Sequence, residues 1–254
     1  MLDKDKLIIE TENAIKWIKD YTTSQRVQGV VVGNSGGKDS AVVIAMAVKA
    51  LGKENVISVS MPCNSISADY YDAKLVSDAF GVSLIKLDLT DTYNELERKI
   101  KININLTDES KINIKPRLRM TSLYAIAQTM GYLVIGTGNL CERMVGYTTK
   151  WGDNSSDFNP IANFTVQEVL KIGEYLKVPD KILKKAPSDG LGGKTDEEKM
   201  GIKYSQIAEL IETGRLEDEV AKLEIIRRFN NSKHKREIVP IYQFERENFL
   251  ENMM

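Results

Sequence analysis

The chain has 254 residues, of which 42% are hydrophobic and 28% charged, and its formal net charge is −1. This composition argues against a disordered chain, and the balanced charge argues against a nucleic-acid-binding protein. The sequence has no run of about 18 apolar residues for a membrane span, no signal-peptide pattern, and only two cysteines, so a cytoplasmic protein is predicted.

Helices and strands are predicted to alternate along the first half of the chain. An amphipathic helix is expected first, because one helical face carries the apolar residues Leu7, Ile8, Ala14, Ile15 and Ile18. The apolar, β-branched run at 27–32 predicts a buried strand. Further strands are predicted at 56–61, 83–88 and 132–137, and further helices at 39–51, 68–80 and about 117–130, several of them closed by glycine.

This alternation predicts right-handed βαβ units and hence an α/β fold with a Rossmann-like parallel sheet flanked by helices. Ligands of such sheets bind beyond the carboxyl ends of the strands. The segments 33–40 and 138–157 directly follow predicted strands, so we expect them to line one crevice.

After residue 157 the pattern becomes helical. Helices are predicted at 165–176, 203–212 and 216–231. The glycine-rich, charged stretch 186–200 predicts a mobile loop. We therefore expect a single domain over residues 1–254, with an α/β core in 1–160 and a helical C-terminal part in 161–254.

The strongest functional signal is the segment Gly33-Asn-Ser-Gly-Gly-Lys-Asp-Ser40, between a predicted strand and a predicted helix. Small residues let the backbone approach a ligand, and N–H groups at a helix N-terminus bind anions. Asp39 would repel phosphates unless it holds a divalent cation that bridges to them. The structural alternative is a tight turn in which Asp or Ser caps the helix.

Two familiar phosphate motifs do not fit this segment. The nucleotide P-loop requires Ser or Thr after its lysine, whereas Asp39 follows Lys38, and the dinucleotide fingerprint is absent from the loop. Lys38 is therefore interpreted either as a phosphate ligand or as a solvated lysine at the helix start.

The Ser-Gly-Gly-x-Asp-Ser pattern resembles the pyrophosphatase loop of the N-type ATP pyrophosphatases. The resemblance implies that the loop binds the pyrophosphate end of ATP while an acceptor attacks the α phosphate. Members of this group adenylate a carboxylate, carbonyl or amide, and a nitrogen or sulfur nucleophile then displaces AMP. The loop thus implies a reaction type and leaves the acceptor open.

Most of the chain, from about residue 15 to residue 240, resembles the ammonia-dependent NAD synthetases. The similar segments are Lys115-Pro-Arg-Leu-Arg-Met120, Gly136-Thr-Gly-Asn-Leu-Cys-Glu142, Gly146-Tyr-Thr-Thr-Lys-Trp-Gly-Asp153 with Asp157, Ala186-Pro-Ser-Asp189 with Thr195-Asp-Glu197, and His234-Lys-Arg236. The resemblance implies an adenine nucleotide alpha hydrolase-like fold, a homodimer, and amidation of deamido-NAD by ATP and ammonia to give NAD, AMP and pyrophosphate through an NAD-adenylate. No glutaminase domain is expected, so free ammonia is the expected nitrogen source.

The same resemblance implies the site residues. ATP is expected to bind Gly33, Asn34, Ser35, Gly36, Gly37, Lys38, Asp39, Ser40, Thr137 and Ser188. Asp39 and Glu142 are expected to hold Mg²⁺, and deamido-NAD is expected to contact Arg117, Lys150, Asp157, His234 and Lys235. Asp39, Glu142 and Asp157 are the predicted catalytic residues, with Asp153 an alternative to Asp157 as the base that deprotonates ammonium.

One position departs from the family pattern. Family members often carry an ATP-binding lysine where this chain has Val166, and valine cannot bind a phosphate. Lys38 and Lys194 are the expected substitutes. The rival hypotheses are another N-type pyrophosphatase, acting on tRNA or a purine nucleotide, and a nucleotide-binding protein without turnover.

Overall fold

A computed structural model of the protein describes residues 2–65, 67–185 and 195–242. Four strands, β1 (Val30–Gly33), β2 (Val56–Ser60), β3 (Ser83–Lys86) and β4 (Leu133–Ile135), form one sheet in the order β3-β2-β1-β4. Every neighbouring pair is parallel, with Val30 opposite Val56 and opposite Leu133. The predicted α/β fold with a parallel sheet is confirmed.

Helices cover both faces of this sheet and form most of the remaining described chain. They are α1 (Lys4–Ser24), α2 (Lys38–Leu51), α3 (Ser67–Phe80), α4 (Thr90–Lys101), α5 (Asp108–Met130), α6 (Leu140–Val145), α7 (Val166–Tyr175), α8 (Asp180–Leu183), α9 (Asp196–Met200), α10 (Tyr204–Thr213) and α11 (Glu219–Asn231). Across the described residues, none of these helices combines the length and apolarity that a membrane span requires.

The valines of β1 point alternately into two apolar layers. Val30 and Val32 pack in a cluster with the buried face of α2, whereas Val31 packs in a second cluster with Ala127 of α5. Burial on both faces explains why the strand is a continuous apolar run rather than an alternating one. The sheet is thereby held rigidly beneath the loops that leave its carboxyl edge.

The helical part after residue 160 divides between two packing environments. Ile161, Ile172 and Ile182 belong to the same cluster as β1, so this stretch packs directly on the α/β core. A separate cluster joins α6, α7 and α9 to α11 through Val145, Val166 and other buried side chains. Val166, at the position of the expected lysine, is therefore a core residue.

Several predicted boundaries need correction. The first strand begins at Val30 rather than at residue 27, and α5 begins at Asp108 rather than near residue 117. Pro116 lies inside α5, and the first two turns of this helix carry no apolar stripe that would signal it. The mostly polar α4 was not predicted; ion pairs such as Arg98–Glu95 line its exposed surface.

Two segments contain helices that were not predicted from the sequence. The crevice segment 138–157 includes α6, which carries Glu142. In the segment 186–200, residues 186–194 lie outside the described residues. These include Ser188 and Lys194, for which ATP contacts are predicted. The last five residues of the segment form α9, which Thr195 caps by accepting a hydrogen bond from the Glu198 N–H.

Candidate active site

A cavity of about 500 Å³ opens at the carboxyl ends of the strands. It lies where the strand order reverses: the chain passes from β1 outward to β3 and then returns to β4 on the other side of β1. Segments following β1, β2 and β4 line the cavity together with α5. Its volume falls within the range of small-molecule sites. The predicted meeting of the two strand-following segments in one crevice is confirmed.

The side chain of Asn34 anchors the loop after β1. Its Nδ2 donates to the Ser58 Oγ and the Ala73 carbonyl, both at 2.9 Å, while its Oδ1 accepts from the Gly36 N–H at 3.0 Å. Because Asn34 is only 3% exposed, these protein partners use most of its bonding capacity. Its side chain fixes the path of the loop.

Glycine is required at the middle of this loop. Gly36 has a φ of +71°, and a Cβ there would lie 2.7 Å from the Asp69 carbonyl oxygen. Ser40 Oγ donates to the Gly37 carbonyl at 3.0 Å and lies 3.2 Å from Ser35 Oγ. The two predicted hydroxyl groups thus stand together beside the first turn of α2.

No side chain caps the N-terminus of α2. Its N-cap residue is Gly37, which has extended backbone geometry and no side-chain cap. The alternative in which Asp or Ser caps this helix is therefore wrong. The first N–H groups of α2 remain available to an anion in the cavity.

Asn139 joins the two predicted metal ligands. Its Nδ2 donates to Asp39 Oδ1 at 3.2 Å, and its backbone N–H donates to Glu142 Oε2 at 3.0 Å. Asn139 is the N-cap of α6 and forms a reciprocal capping box with Glu142. This capping box orients the Glu142 carboxylate toward the end of the β1 loop.

Lys38 is the cation within this carboxylate group. Its Nζ lies 3.0 Å from Asp39 Oδ2, and only 7% of its side chain is exposed. The interpretation of Lys38 as a solvated lysine is therefore wrong. Burial disfavours the charge on Lys38, but the carboxylates of Asp39 and Glu142 outweigh this effect and raise its pKa. Burial and the adjacent Asp39 carboxylate likewise raise the pKa of Glu142.

This donor set fits a magnesium ion that shares its coordination with a substrate. The described residues contain no group of three or more His, Cys, Asp or Glu side chains arranged for a metal. Asp39 and Glu142 supply two carboxylates beside a helix N-terminus that is open to an anion. Mg²⁺ commonly binds one or two carboxylates together with substrate phosphates and water.

Lys235 and Thr137 also line the cavity. Lys235 Nζ donates to the carbonyl oxygens of Gly146 at 2.8 Å and Thr148 at 2.6 Å, and these two hydrogen bonds fix the position of its ammonium. Burial lowers the pKa of Lys235.

Four other predicted substrate residues are described by the structure but lie outside this lining: Arg117, Lys150, Asp157 and His234. Arg117 is exposed and its Nε donates to the Lys150 carbonyl at 3.2 Å. His234 is exposed in the short 3₁₀ turn Lys233–Lys235. Of the five residues predicted to contact deamido-NAD, only Lys235 therefore lines the cavity.

The two candidate bases occupy different surroundings. Asp157 accepts hydrogen bonds from the Val134 N–H at 2.7 Å and the Tyr124 hydroxyl at 3.3 Å, so it ties the end of the loop to β4 and α5. Asp153 lines the cavity and accepts from the Thr149 N–H at 2.6 Å. Although Asp153 is accessible from the cavity, desolvation by the surrounding protein raises its pKa.

The sequence predictions missed three further residues at the site: Arg119 and Lys185, which line the cavity, and Asn139, which is hydrogen-bonded to Asp39 and Glu142. Asn139 and Glu142 form the N-cap and N3 pair of a capping box, a recognisable sequence signal. Arg119 donates from Nε to the Met61 carbonyl at 3.1 Å. Lys185 pairs with Asp69 at 2.9 Å and Asp72 at 2.8 Å, long-range contacts without a local sequence signal.

Comparison with known proteins identifies the family. A profile described as NAD synthase matches residues 10–246. The chain belongs to the NAD synthase family. An NH(3)-dependent NAD(+) synthetase of Carboxydothermus hydrogenoformans is 40% identical over 234 residues, covering 90% of this chain and 95% of that protein.

Solved structures agree with this membership. The chain is similar to an NMN synthetase from Francisella tularensis, with a TM-score of 0.88 and 33% identity over 94% of this chain and 99% of that one. It is also similar to an NH3-dependent NAD synthetase from Campylobacter jejuni, with a TM-score of 0.76 and 28% identity over 93% and 99% of the two chains. The predicted membership, the predicted ligase class and the predicted ammonia-dependent synthesis of NAD are confirmed.

Proposed function

We propose that this NAD synthase family member adenylates the nicotinate carboxylate of deamido-NAD with ATP, and that ammonia then displaces AMP to give NAD. Pyrophosphate leaves in the first step, so ATP is cleaved between its α and β phosphates. The observation that carries the proposal is the uncapped start of α2 next to the Asp39–Asn139–Glu142 group, both at the strand-order reversal. Together they form a site for a polyphosphate and its cation.

The pyrophosphate end of ATP is placed against the β1 loop. The N–H groups at the start of α2 and the hydroxyls of Ser35 and Ser40 would donate to phosphate oxygens. Asn34 would support this site by positioning the loop. Lys38 would supply the cation missing at Val166, because Lys38 lines the cavity whereas Val166 lies in the core.

Asp39 and Glu142 would hold Mg²⁺. When bound, the ion would neutralise charge that builds on the departing pyrophosphate. Asn139 would keep both carboxylates in place through its two hydrogen bonds. Thr137, which follows β4 and lines the cavity, would contact the nucleotide.

The second step requires ammonia rather than ammonium, because only the neutral species has a lone pair for the attack on the adenylate. A nearby carboxylate would take the ammonium proton. We assign this role to Asp153 in preference to Asp157, since Asp153 lines the cavity whereas Asp157 is hydrogen-bonded to β4 and α5.

Arg117, Lys150, Asp157 and His234 are retained as proposed deamido-NAD contacts outside the cavity. Three of them, Arg117, Asp157 and His234, are exposed, which suits a substrate that extends beyond the pocket. We further propose a cytoplasmic homodimer in which residues of one protomer complete the substrate site of the other.

The test is NAD formation from deamido-NAD, ATP and Mg²⁺, with ammonium chloride in one series and glutamine in the other. The proposal expects NAD and AMP only with ammonium. Absence of NAD from folded protein would refute deamido-NAD as the acceptor, while pyrophosphate release with another acceptor would still support an adenylating enzyme.

A second acceptor is supported by one observation. The similarity to the NMN synthetase has the higher TM-score, 0.88 against 0.76 for the Campylobacter enzyme. An enzyme that makes NMN by amidation would act on nicotinate mononucleotide, which has the same carboxylate but lacks the adenylate half. The ratio of kcat/KM for the two acceptors decides between them: a higher value for the mononucleotide would replace deamido-NAD in the proposal.

A further inference from the structure

We propose that Lys38 is a built-in counter-cation of the metal-binding carboxylates, and that a divalent cation must displace its ammonium group from Asp39 in order to bind. The inference rests on the proposed function in one respect, the assignment of Asp39 and Glu142 to the metal. It adds a residue that controls how tightly the free enzyme holds that metal.

Both carboxylate oxygens of Asp39 already have partners. Oδ2 lies 3.0 Å from the Lys38 Nζ, and Oδ1 accepts from the Asn139 Nδ2 at 3.2 Å. The neutral amide can remain beside a metal-bound carboxylate, whereas the ammonium carries the same sign of charge as the incoming ion. Lys38 is therefore the partner that metal binding opposes.

The surroundings of Lys38 show that its charge is held by this carboxylate group. Its side chain is 7% exposed, and the charges that act on it are those of Asp39, Glu142 and Asp196. Its Nζ also lies 6.0 Å from the ring centroid of Tyr204. Lys38 thus partly neutralises the acidic group when no metal is bound.

Geometry makes simultaneous binding unfavourable. Mg²⁺ sits about 2.1 Å from a ligating oxygen. A Mg²⁺ ion on Asp39 Oδ2, the oxygen 3.0 Å from the ammonium, would therefore lie at most about 5 Å from that ammonium. At that separation the repulsion in a partly buried site is substantial. The flexible four-carbon side chain of lysine allows the ammonium to move instead.

The experiment measures binding of Mn²⁺, as a spectroscopic substitute for Mg²⁺, to the full chain without ATP by electron paramagnetic resonance. Lys38→Met removes the charge and keeps the length of the side chain, and Lys38→Gln is a second neutral variant. Lys49→Met is the matched control, since Lys49 lies on the same helix and pairs with Glu12 at the surface. Asp39→Asn tests the metal site itself.

We expect both neutral variants at position 38 to bind Mn²⁺ at least about tenfold more tightly than the wild type, because the competing charge is gone. Lys49→Met should match the wild type. Unchanged or weaker Mn²⁺ binding by Lys38→Met and Lys38→Gln, or equal tightening by Lys49→Met, would overturn the inference. If Asp39→Asn binds Mn²⁺ like the wild type, the metal assignment in the proposed function fails instead.

Discussion

Asn34 offers a direct test of whether its side chain binds ATP or supports the loop. Asn34→Ala would remove the hydrogen bonds to the Ser58 hydroxyl, the Ala73 carbonyl and the Gly36 N–H. Each net hydrogen bond contributes about 1 kcal/mol, so the free energy of unfolding should fall by about 3 kcal/mol. For a chain of this size that corresponds to roughly 6–12 °C in Tm.

Urea denaturation followed by circular dichroism measures this loss, and steady-state kinetics gives the KM for ATP. Asn13→Ala is the matched control: Asn13 is exposed and makes only a 3.5 Å contact with Glu10, so stability should change by less than about 0.5 kcal/mol. If Asn34→Ala retained wild-type stability and raised only the KM for ATP, the side chain would be a nucleotide ligand and the reasoning would be refuted.

Three further changes test other parts of the structure. Asp72 is buried; burial raises its pKa, but hydrogen bonds from two lysines outweigh this and lower it overall. The charged Asp72 carboxylate should therefore stabilise the fold fully above its unfolded pKa of about 3.9, and this contribution should disappear as the pH falls through the lower folded pKa. Asp72→Asn lacks the carboxylate, so the amount by which it is less stable than the wild type, measured by urea titration, should shrink between pH 5 and pH 3. A difference that stays constant with pH would contradict this. Gly146→Ala should lower the free energy of unfolding by at least about 2 kcal/mol more than Gly201→Ala does. Both glycines have a positive φ, but only at Gly146 would a Cβ overlap another residue, Ser232. An equal loss of unfolding free energy in the two variants would contradict this packing argument. Arg117→Ala should raise the KM for deamido-NAD far more than that for ATP, and equal effects on both would remove Arg117 from the dinucleotide site.

The parallel sheet could be predicted because its central strands, β1 and β2, are buried on both faces, and β1 therefore appears as an uninterrupted apolar run, whereas the edge strand β3 is mostly exposed. The same reasoning fails for surface helices. Such helices are not continuous apolar runs: α4 is stabilised partly by ion pairs along its exposed side, and only Tyr93, Leu96 and Ile100 recur on one face at helical spacing, a signal that the sequence predictions missed. The early start of α5 was hidden by Pro116 and by the polar residues that precede it.

The candidate site could be predicted where its chemistry is local in sequence. Gly36 and Asp39 belong to one short motif, and the structure places that motif at the cavity. The burial of Lys38 among carboxylates could not be predicted, because it depends on α6 and on residues near Tyr204, which are more than 100 positions away in the sequence. The hydrogen bonds that the buried Asn34 side chain makes likewise depend on distant residues, Ser58 of β2 and Ala73 of α3.

In the proposed reaction, cleavage of ATP between the α and β phosphates is coupled to amidation by ammonia. Phosphorus NMR of a reaction containing deamido-NAD, ATP, Mg²⁺ and ammonium chloride tests both parts at once. We expect NAD, AMP and pyrophosphate in equal amounts. Formation of ADP and phosphate, or NAD formation only when glutamine replaces ammonium, would contradict it.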